Sequence, residues 1–142
     1  MARVLVIDDC PDHLEWTRCT LQSEGVVVIE ARDALAGLQY AVESTPDLVV
    51  VSETLGGLDG LDVAARITNE PASVGLPVIV MAERPDETTR RAAKEAGAEA
   101  VIPRSYRRGD LIGPVRERLF AAGIAWLASG ADETSALARP RL

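Results

Sequence analysis

The chain of 142 residues has few side chains that bind metals or form disulfides: one histidine and two cysteines. A structural zinc site uses about four such ligands, and no CxxC pair or histidine–cysteine cluster is present. Cys10 and Cys19 are separated by about two and a half helical turns, which is too far for a local disulfide. We therefore expect reduced thiols and exclude a zinc-bound or disulfide-stapled protein.

Long apolar runs and a net positive charge are also missing. No segment approaches the ~18 apolar residues that span a bilayer, and Met1 leads into a predicted strand without the pattern of a signal peptide. The net charge of −7 disfavours nucleic acid as a partner. We expect a cytoplasmic protein whose partners are neither membranes nor nucleic acids.

The chain does have a regular alternation of short β-branched runs and helical patterns. We predict strands at 2–7, 26–30, 47–52, 76–82 and 99–103, and helices at 11–24, 33–44, 59–69, 86–97 and 110–128. The strands are mostly continuous apolar runs, as is typical of a parallel sheet covered on both faces. Five strand–helix units in succession predict an α/β protein with a doubly wound, five-stranded parallel sheet.

Signals at the ends of the predicted helices support this organisation. Asp33, Asp59 and Asp110 are predicted N-caps, and Gly25 and Gly97 are placed to end helices. We expect one domain over residues 1–128 with an extended last helix. The small, polar segment 129–142 is predicted to be a flexible tail.

Polar side chains follow the predicted strands at their carboxyl ends, which is where doubly wound sheets place their ligand sites. Asp8 and Asp9 follow the first strand, and Ser52 ends the third. Ala82 ends the fourth strand and Arg104 follows the fifth. The sequence therefore predicts one candidate site at this edge of the sheet.

Six motifs in this chain resemble those of the receiver domains of bacterial two-component response regulators, which have the CheY-like, flavodoxin-like (βα)5 fold. The likeness extends from about residue 2 to residue 120. The motifs are VIDDCPD at 6–12, PDLVVV at 46–51, GLDG at 57–60, LPVIVM at 76–81, AGA at 96–98 and IPR at 102–104.

The resemblance implies a phosphorylation pocket. In that family, two acids after the first strand and an aspartate ending the third hold Mg²⁺, and this aspartate accepts a phosphoryl group from a histidine kinase. A hydroxyl residue ending the fourth strand and a lysine after the fifth bind the phosphoryl oxygens, and a nearby aromatic conveys the change to the surface. The matching positions here are Asp8, Asp9, Ser52, Ala82, Arg104 and Tyr106.

Three of those positions, Ser52, Ala82 and Arg104, differ from the family pattern. With one carboxylate fewer, the pocket needs a divalent cation less, so we expect Mg²⁺ binding at Asp8 and Asp9 to be weak or lost, and no other cofactor. Arg104 keeps its charge and can bind a carboxylate through two hydrogen bonds. Our hypothesis is that Arg104 pairs with Asp8 or Asp9 in place of the metal, and that Tyr106 keeps one orientation.

Ser52 and Glu53 are the alternative phosphoryl acceptors. A serine needs an activating base, and the lone His13 is interpreted as part of the sheet-facing stripe of the first helix, away from the strand ends. That stripe comprises His13, Trp16, Thr17, Thr20 and Leu21. Glu53 is expected to point away from Asp8, because side chains alternate along a strand. A hydrolase would need a nucleophile–base pair, and a flavin-binding module would need a glycine-rich phosphate loop. We find neither pattern in the sequence and predict that the chain is not an enzyme.

Two surfaces are candidates for protein contacts. Residues 84–118 carry nine bases and six acids, whereas residues 1–60 carry eleven acids and three bases. The later segment therefore predicts a docking face for an acidic partner, with candidates Arg90, Arg91, Lys94, Arg107 and Arg108. The last helix is apolar on more than one side, so Phe120 and Trp126 predict a contact with a partner protein, a homodimer, or packing of the helix end back onto the domain.

The combined interpretation is an atypical receiver domain in two-component (phosphorelay) signal transduction. We predict that it acts as a phosphorylation-independent protein–protein interaction module. The alternative is a phospho-responsive regulator that uses Ser52 or Glu53 as an unconventional acceptor.

Overall fold

The computed structural model describes residues 1–124, and its centre is a parallel sheet. The strands are β1 (Arg3–Ile7), β2 (Val27–Ala31), β3 (Leu48–Ser52), β4 (Thr54–Leu55), β5 (Leu58–Asp59), β6 (Val78–Ala82) and β7 (Ala100–Pro103). Five of them form the parallel sheet in the order β2-β1-β3-β6-β7, while β4 and β5 form a small antiparallel hairpin. The order reverses after β1, which makes the sheet doubly wound, as predicted.

Helices cover both faces of this sheet. They are α1 (Pro11–Gln22), α2 (Ala34–Glu43), α3 (Gly60–Asn69), α4 (Glu87–Glu95) and α5 (Arg108–Ala121), with a short 3-10 turn at Pro71–Ser73. Apolar residues of α1 and α5 pack on one face of the sheet, and those of α2, α3 and α4 pack on the other. Every residue of β3 and β6 is buried, which is why these strands read as continuous apolar runs.

Most helix-end signals act as predicted. The carboxylates of Asp33 and Asp59 accept hydrogen bonds from the amides of Ala36 and Leu61 at the starts of α2 and α3. Gly25 and Gly97 have φ values of +83° and +92°, a backbone conformation that favours glycine. These capping interactions set where the helices begin and end.

The start of α5 differs from the prediction. Asp110 is not the N-cap: the helix begins at Arg108, and the Asp110 carboxylate reaches back to accept the amide hydrogen of Arg107 at 2.9 Å. An acid in the third helical position can bond to the N-cap amide in this way. The aspartate therefore stabilises the helix start from inside the first turn.

The end of α5 also differs from the prediction, because the helix stops at Ala121. Gly123 has a φ of +77°, and its amide bonds to the Phe120 carbonyl at 3.0 Å. The amide of Ile124 bonds to the Leu119 carbonyl at 2.9 Å. These two bonds form a Schellman motif, which ends a helix and turns the chain.

The expected sheet-facing stripe of α1 is only partly correct. Thr17, Thr20 and Leu21 are buried, as predicted, and Leu14 joins them. Trp16 is 45% exposed, because it lies beside this stripe and covers an aromatic side chain from the β7–α5 loop. In residues 1–124, no helix has the length and apolar character needed to cross a membrane.

Candidate functional site

The predicted site residues do converge at the carboxyl edge of the sheet. Asp8 follows β1, Ser52 ends β3, and both are fully buried. Arg104 follows β7, and its side chain is 18% exposed. The parallel register places these strand ends side by side, so residues far apart in the chain meet at one edge.

Arg104 contacts both Asp8 and Ser52 through its guanidinium group. Its Nη1 donates to Ser52 Oγ at 2.5 Å and to Asp8 Oδ2 at 3.4 Å, and its Nη2 donates to Asp8 Oδ1 at 3.2 Å. A planar guanidinium presents paired donors that match a carboxylate. Of the two aspartates named in the hypothesis, Asp8 is therefore the one that Arg104 contacts.

His13 is a member of this site that the sequence interpretation missed. Its Nδ1 lies 2.5 Å from Asp8 Oδ2, and its Nε2 lies 2.7 Å from the backbone carbonyl of Arg104. The expectation that His13 lies away from the strand ends was wrong, because the first turn of α1 returns to the end of β1. Its position five residues after Asp8, in that first turn, was the available signal.

The partners of His13 specify where hydrogen must be. A carbonyl oxygen only accepts hydrogen bonds, so Nε2 carries a hydrogen. Nδ1 and the Asp8 carboxylate then share one further proton between them. The result is a hydrogen-bonded bridge from β1 through α1 to the β7–α5 loop.

Four donors surround the Asp8 carboxylate: one from His13, two from Arg104 and the amide of Cys10 at 3.0 Å. Burial acts to raise the pKa of Asp8, but the hydrogen bonds from His13 and Cys10 and the charges of Arg104 and His13 hold that pKa below its usual value. Asp8 is thus held as a buried carboxylate by groups of this chain.

Asp9 lies outside this network. It is exposed. Its Oδ2 lies next to Gly56 in the β4–β5 turn, 3.5 Å from where a Cβ of that residue would be. Ala82 contributes only its backbone carbonyl, which accepts the Arg104 amide hydrogen at 2.7 Å. The acid pair predicted from the sequence is therefore divided into one buried and one exposed carboxylate.

Glu53 bonds to the end of the neighbouring strand. Its Oε1 accepts the amide hydrogen of Glu83 at 3.2 Å. The Glu83 carboxylate in turn approaches Arg104 Nε at 3.9 Å. In the described part of the chain, no group of three or more His, Cys, Asp or Glu side chains is arranged to hold a metal ion.

Tyr106 belongs to the β7–α5 loop and is buried against α1. Its hydroxyl donates to Thr17 Oγ1 at 2.8 Å, and its ring stacks on Trp16 with centroids 4.2 Å apart. Burial raises the pKa of Tyr106 above its ordinary value. The His13 ring makes edge contacts with both aromatic rings at 5.5 and 5.8 Å, which connects the Asp8 site to this stack.

The interface candidates separate into different surroundings. Arg90, Arg91 and Lys94 are exposed on α4, and Arg107 is exposed before α5. Arg91 forms an ion pair with Glu87 within α4, and Arg108 forms one with Glu24, which follows α1. Phe120 is 84% exposed, whereas Trp126 lies outside the described residues, as does the predicted tail 129–142.

Comparison with known proteins identifies relatives of this chain. Protein PilH of Pseudomonas aeruginosa is 29% identical over 98 residues, covering 69% of this chain and 81% of that protein. The transcriptional regulatory protein KdpE of Mycobacterium tuberculosis is 31% identical over 116 residues, covering 82% of this chain and 50% of that protein. The chain thus spans about half the length of KdpE, and likewise of the DNA-binding response regulator MtrA of Mycolicibacterium smegmatis.

Solved structures share the fold at low sequence identity. CheY4 of Vibrio cholerae superposes with a TM-score of 0.79 at 19% identity, covering 84% of this chain and 99% of CheY4. A CheY-like receiver domain protein of Methanospirillum hungatei has a TM-score of 0.79 at 23% identity, with 87% and 97% covered. The response regulator receiver domain model matches residues 4–116. With its doubly wound sheet and its polar site at the strand ends, this chain belongs to the response regulator receiver domain family.

Proposed function

We propose that this receiver domain signals by binding other proteins and that it is not controlled by aspartyl phosphorylation. The observation that supports this most directly is the contact of Arg104 with Ser52 and Asp8. The residue at the acceptor position is a buried serine whose hydroxyl accepts a hydrogen bond from a guanidinium. No carboxylate is available at that position to form an acyl phosphate.

The surroundings of Asp8 also argue against a magnesium site. A carboxylate has about four acceptor positions, and four donors already contact Asp8. Mg²⁺ would have to displace the guanidinium and His13, leaving the exposed Asp9 as its other acid. Hard cations need several oxygen ligands, and the residues here do not fit one. We therefore propose that the domain works without Mg²⁺ and catalyses no reaction.

The docking face that we propose comprises α4, β7 and α5. Arg90 and Lys94 line a cavity of about 480 Å³ over a floor that includes Ala98 and Val101. Arg118 also lines it but pairs with Glu99 of the same lining. Exposed bases around a small apolar floor match an acidic partner that contributes an apolar side chain. Arg108 is less available for this contact, because Glu24 already pairs with it.

We place the domain in the cytoplasm, where its signalling partners would be proteins.

Self-association through α5 is a further part of this proposal. Phe120 is a large apolar side chain that is 84% exposed near the end of the helix. Burying such a ring against a second copy would contribute favourable apolar contact. The proposed homodimer contact is therefore centred on Phe120.

Treatment with a small phosphodonor tests the proposal. The full chain would be incubated with acetyl phosphate and Mg²⁺ and its intact mass measured, beside a positive-control variant that carries both Ser52→Asp and Arg104→Lys. We expect a phosphate-sized mass gain in the double variant and none in the natural sequence. A stoichiometric gain located on Ser52 or Glu53 of the natural sequence would establish the alternative, an unconventional phosphoryl acceptor.

A further inference from the structure

An apolar groove lies at the amino-terminal edge of the sheet, opposite the Asp8 site. It has a volume of about 320 Å³ and is lined by Val42 at the end of α2, by Val74 and Leu76 before β6, and by Ala122 and Ile124 after α5. Val42 is 40% exposed and Val74 is 69% exposed. We call this the basal groove. It is not part of the docking face of α4, β7 and α5.

The groove continues along the domain. Val42 and Ser73 also line a second cavity of about 320 Å³ between α2 and α3, which includes Leu38 and Ile67. Each of these two adjoining cavities has a volume at the lower end of the range for small-ligand clefts, about 300–1,000 Å³. They provide enough apolar surface for a few side chains of a peptide segment.

The end of α5 directs the chain into the basal groove. The Schellman bonds at Gly123 and Ile124 turn the backbone away from the helix axis. Ile124 packs against the buried core and lines the groove at the same time. Ile124 is the last described residue and lines the groove. The residues that follow it therefore start at the groove.

The sequence that follows has the composition that this groove would bind. Residues 125–128 read Ala-Trp-Leu-Ala, without a charge, and the polar run Ser-Gly-Ala-Asp-Glu begins at 129. Two residues extend at most about 7 Å, so Trp126 is within reach of a groove that Ile124 already lines. Asp47 is also part of the lining, and its carboxylate could accept the hydrogen of an indole N–H.

We propose that the basal groove binds the chain's own segment Ala125–Ala128, with Trp126 and Leu127 as its apolar anchors. A second copy of the chain and a separate partner protein are the competing occupants. The chain supplies its segment at very high local concentration, because only one residue separates Ile124 from Trp126. This inference is independent of how the Asp8 site works.

Tryptophan fluorescence tests the proposal in the full chain. The chain has two tryptophans, so Trp16→Phe leaves Trp126 as the only one and keeps an aromatic ring against Tyr106. In that background we expect a blue-shifted emission and at least a threefold protection from acrylamide quenching relative to the urea-unfolded chain. Both signals should be independent of protein concentration.

A groove variant and a matched control identify the binding site. In the same background, Val74→Asp places a charge in the groove at an exposed loop position and should shift the emission to the red and restore quenching. Leu35→Asp, at a residue of α2 that is 76% exposed and does not line the groove, should change neither. The proposal is wrong if Trp126 emits as in the unfolded chain, if Val74→Asp has no effect, or if protection appears only as concentration rises, which would indicate a second copy.

Discussion

At the scale of single residues, Asp8 is central because every oxygen of its buried carboxylate has donors from the chain itself. Arg104 supplies the positive charge that an ion would otherwise provide, and His13 adds a hydrogen bond from the first turn of α1. Removing one partner of such a buried group leaves the others incompletely bonded, which typically costs about 1–3 kcal/mol. Substitutions at this site should therefore alter both stability and ion binding.

Magnesium titration gives a first prediction at this scale. In the natural sequence, millimolar Mg²⁺ should leave the amide NMR signals of Asp8 and Asp9 without a saturable shift, because Arg104 and His13 already bond to the Asp8 carboxylate. The double variant Ser52→Asp with Arg104→Lys should show a saturable shift, since it adds a carboxylate and removes the guanidinium. Ser52→Asp alone is the control and should show no saturable shift, because Arg104 would pair with the new carboxylate. A saturable shift in the natural sequence would contradict the proposed replacement of the ion.

The lowered pKa of Asp8 gives a second prediction. A carboxyl whose pKa is lower in the folded than in the unfolded state stabilises the fold above its unfolded pKa of 3.8, and that contribution is lost as pH falls through the folded value. The difference in unfolding free energy between the natural chain and Asp8→Asn should therefore be largest near pH 7 and should shrink below about pH 4. Urea unfolding at pH 7, 5, 4 and 3 measures this difference.

The matched control for that experiment is Asp9→Asn. Asp9 is exposed, and surface substitutions usually change stability by about 0.5 kcal/mol or less. We expect its curve to follow the natural chain at each pH. If the Asp8→Asn difference stays constant between pH 7 and pH 3, the carboxylate is not stabilised by the contacts described above.

At the scale of elements, the start of α3 packs closely against the end of β3. Gly60 begins α3, and a Cβ added there would lie 1.8 Å from the backbone carbonyl oxygen of Ser52. The Gly60 amide also bonds to the Glu53 carbonyl at 2.6 Å. Because the close neighbour is backbone, neither side can move cheaply, and α3 must start against the end of β3.

A glycine-to-alanine pair tests that packing. Gly60→Ala should lower the unfolding free energy by about 3 kcal/mol or more, as is typical of a substitution that forces a backbone shift. Gly109→Ala is the control, because its added Cβ meets nothing within 4 Å and alanine is favoured in a helix by about 0.5–1 kcal/mol. Urea unfolding curves give both values. Equal stabilities of the two variants would show that the β3–α3 turn relaxes freely.

Element types and order were predictable because their signals are local. Continuous apolar runs indicated buried parallel strands, and Asp33, Asp59 and Gly97 marked helix ends by short-range hydrogen bonds or backbone preference. The last helix was predicted too long, since residues 110–128 continue an apolar helical pattern through Gly123. The Schellman motif at this glycine outweighs that pattern, because its positive φ and two hydrogen bonds end the helix.

At the scale of the whole molecule, the sheet separates two regions with different chemistry. The carboxyl edge holds the polar Asp8 site and the aromatic stack of Tyr106 and Trp16. The opposite edge holds the apolar basal groove. Exposed bases of α4 lie on a third surface, so contacts at these places need not exclude one another.

Self-association is a prediction for the whole molecule. If two copies meet through α5, the weight-average mass in sedimentation equilibrium should rise with concentration, and Phe120→Ser should weaken the dimer at least tenfold because it removes an exposed ring. Leu35→Ser, at a comparably exposed residue of α2, is the control and should leave the dimer unchanged. A natural chain that stays monomeric at high concentration would contradict the homodimer.

The succession of apolar runs, caps and turns was sufficient to specify a doubly wound sheet and to bring Asp8, Ser52 and Arg104 to one edge of it. Those features depend on neighbours in the chain and on the general geometry of strand–helix units. The sequence already named Arg104 as a partner of Asp8 or Asp9, but the folded chain decided that the partner is Asp8. It also revealed the contact of His13, which bonds to the backbone carbonyl of Arg104, 91 residues away in sequence. Side-chain reach and burial are set by packing between elements, which no local pattern encodes.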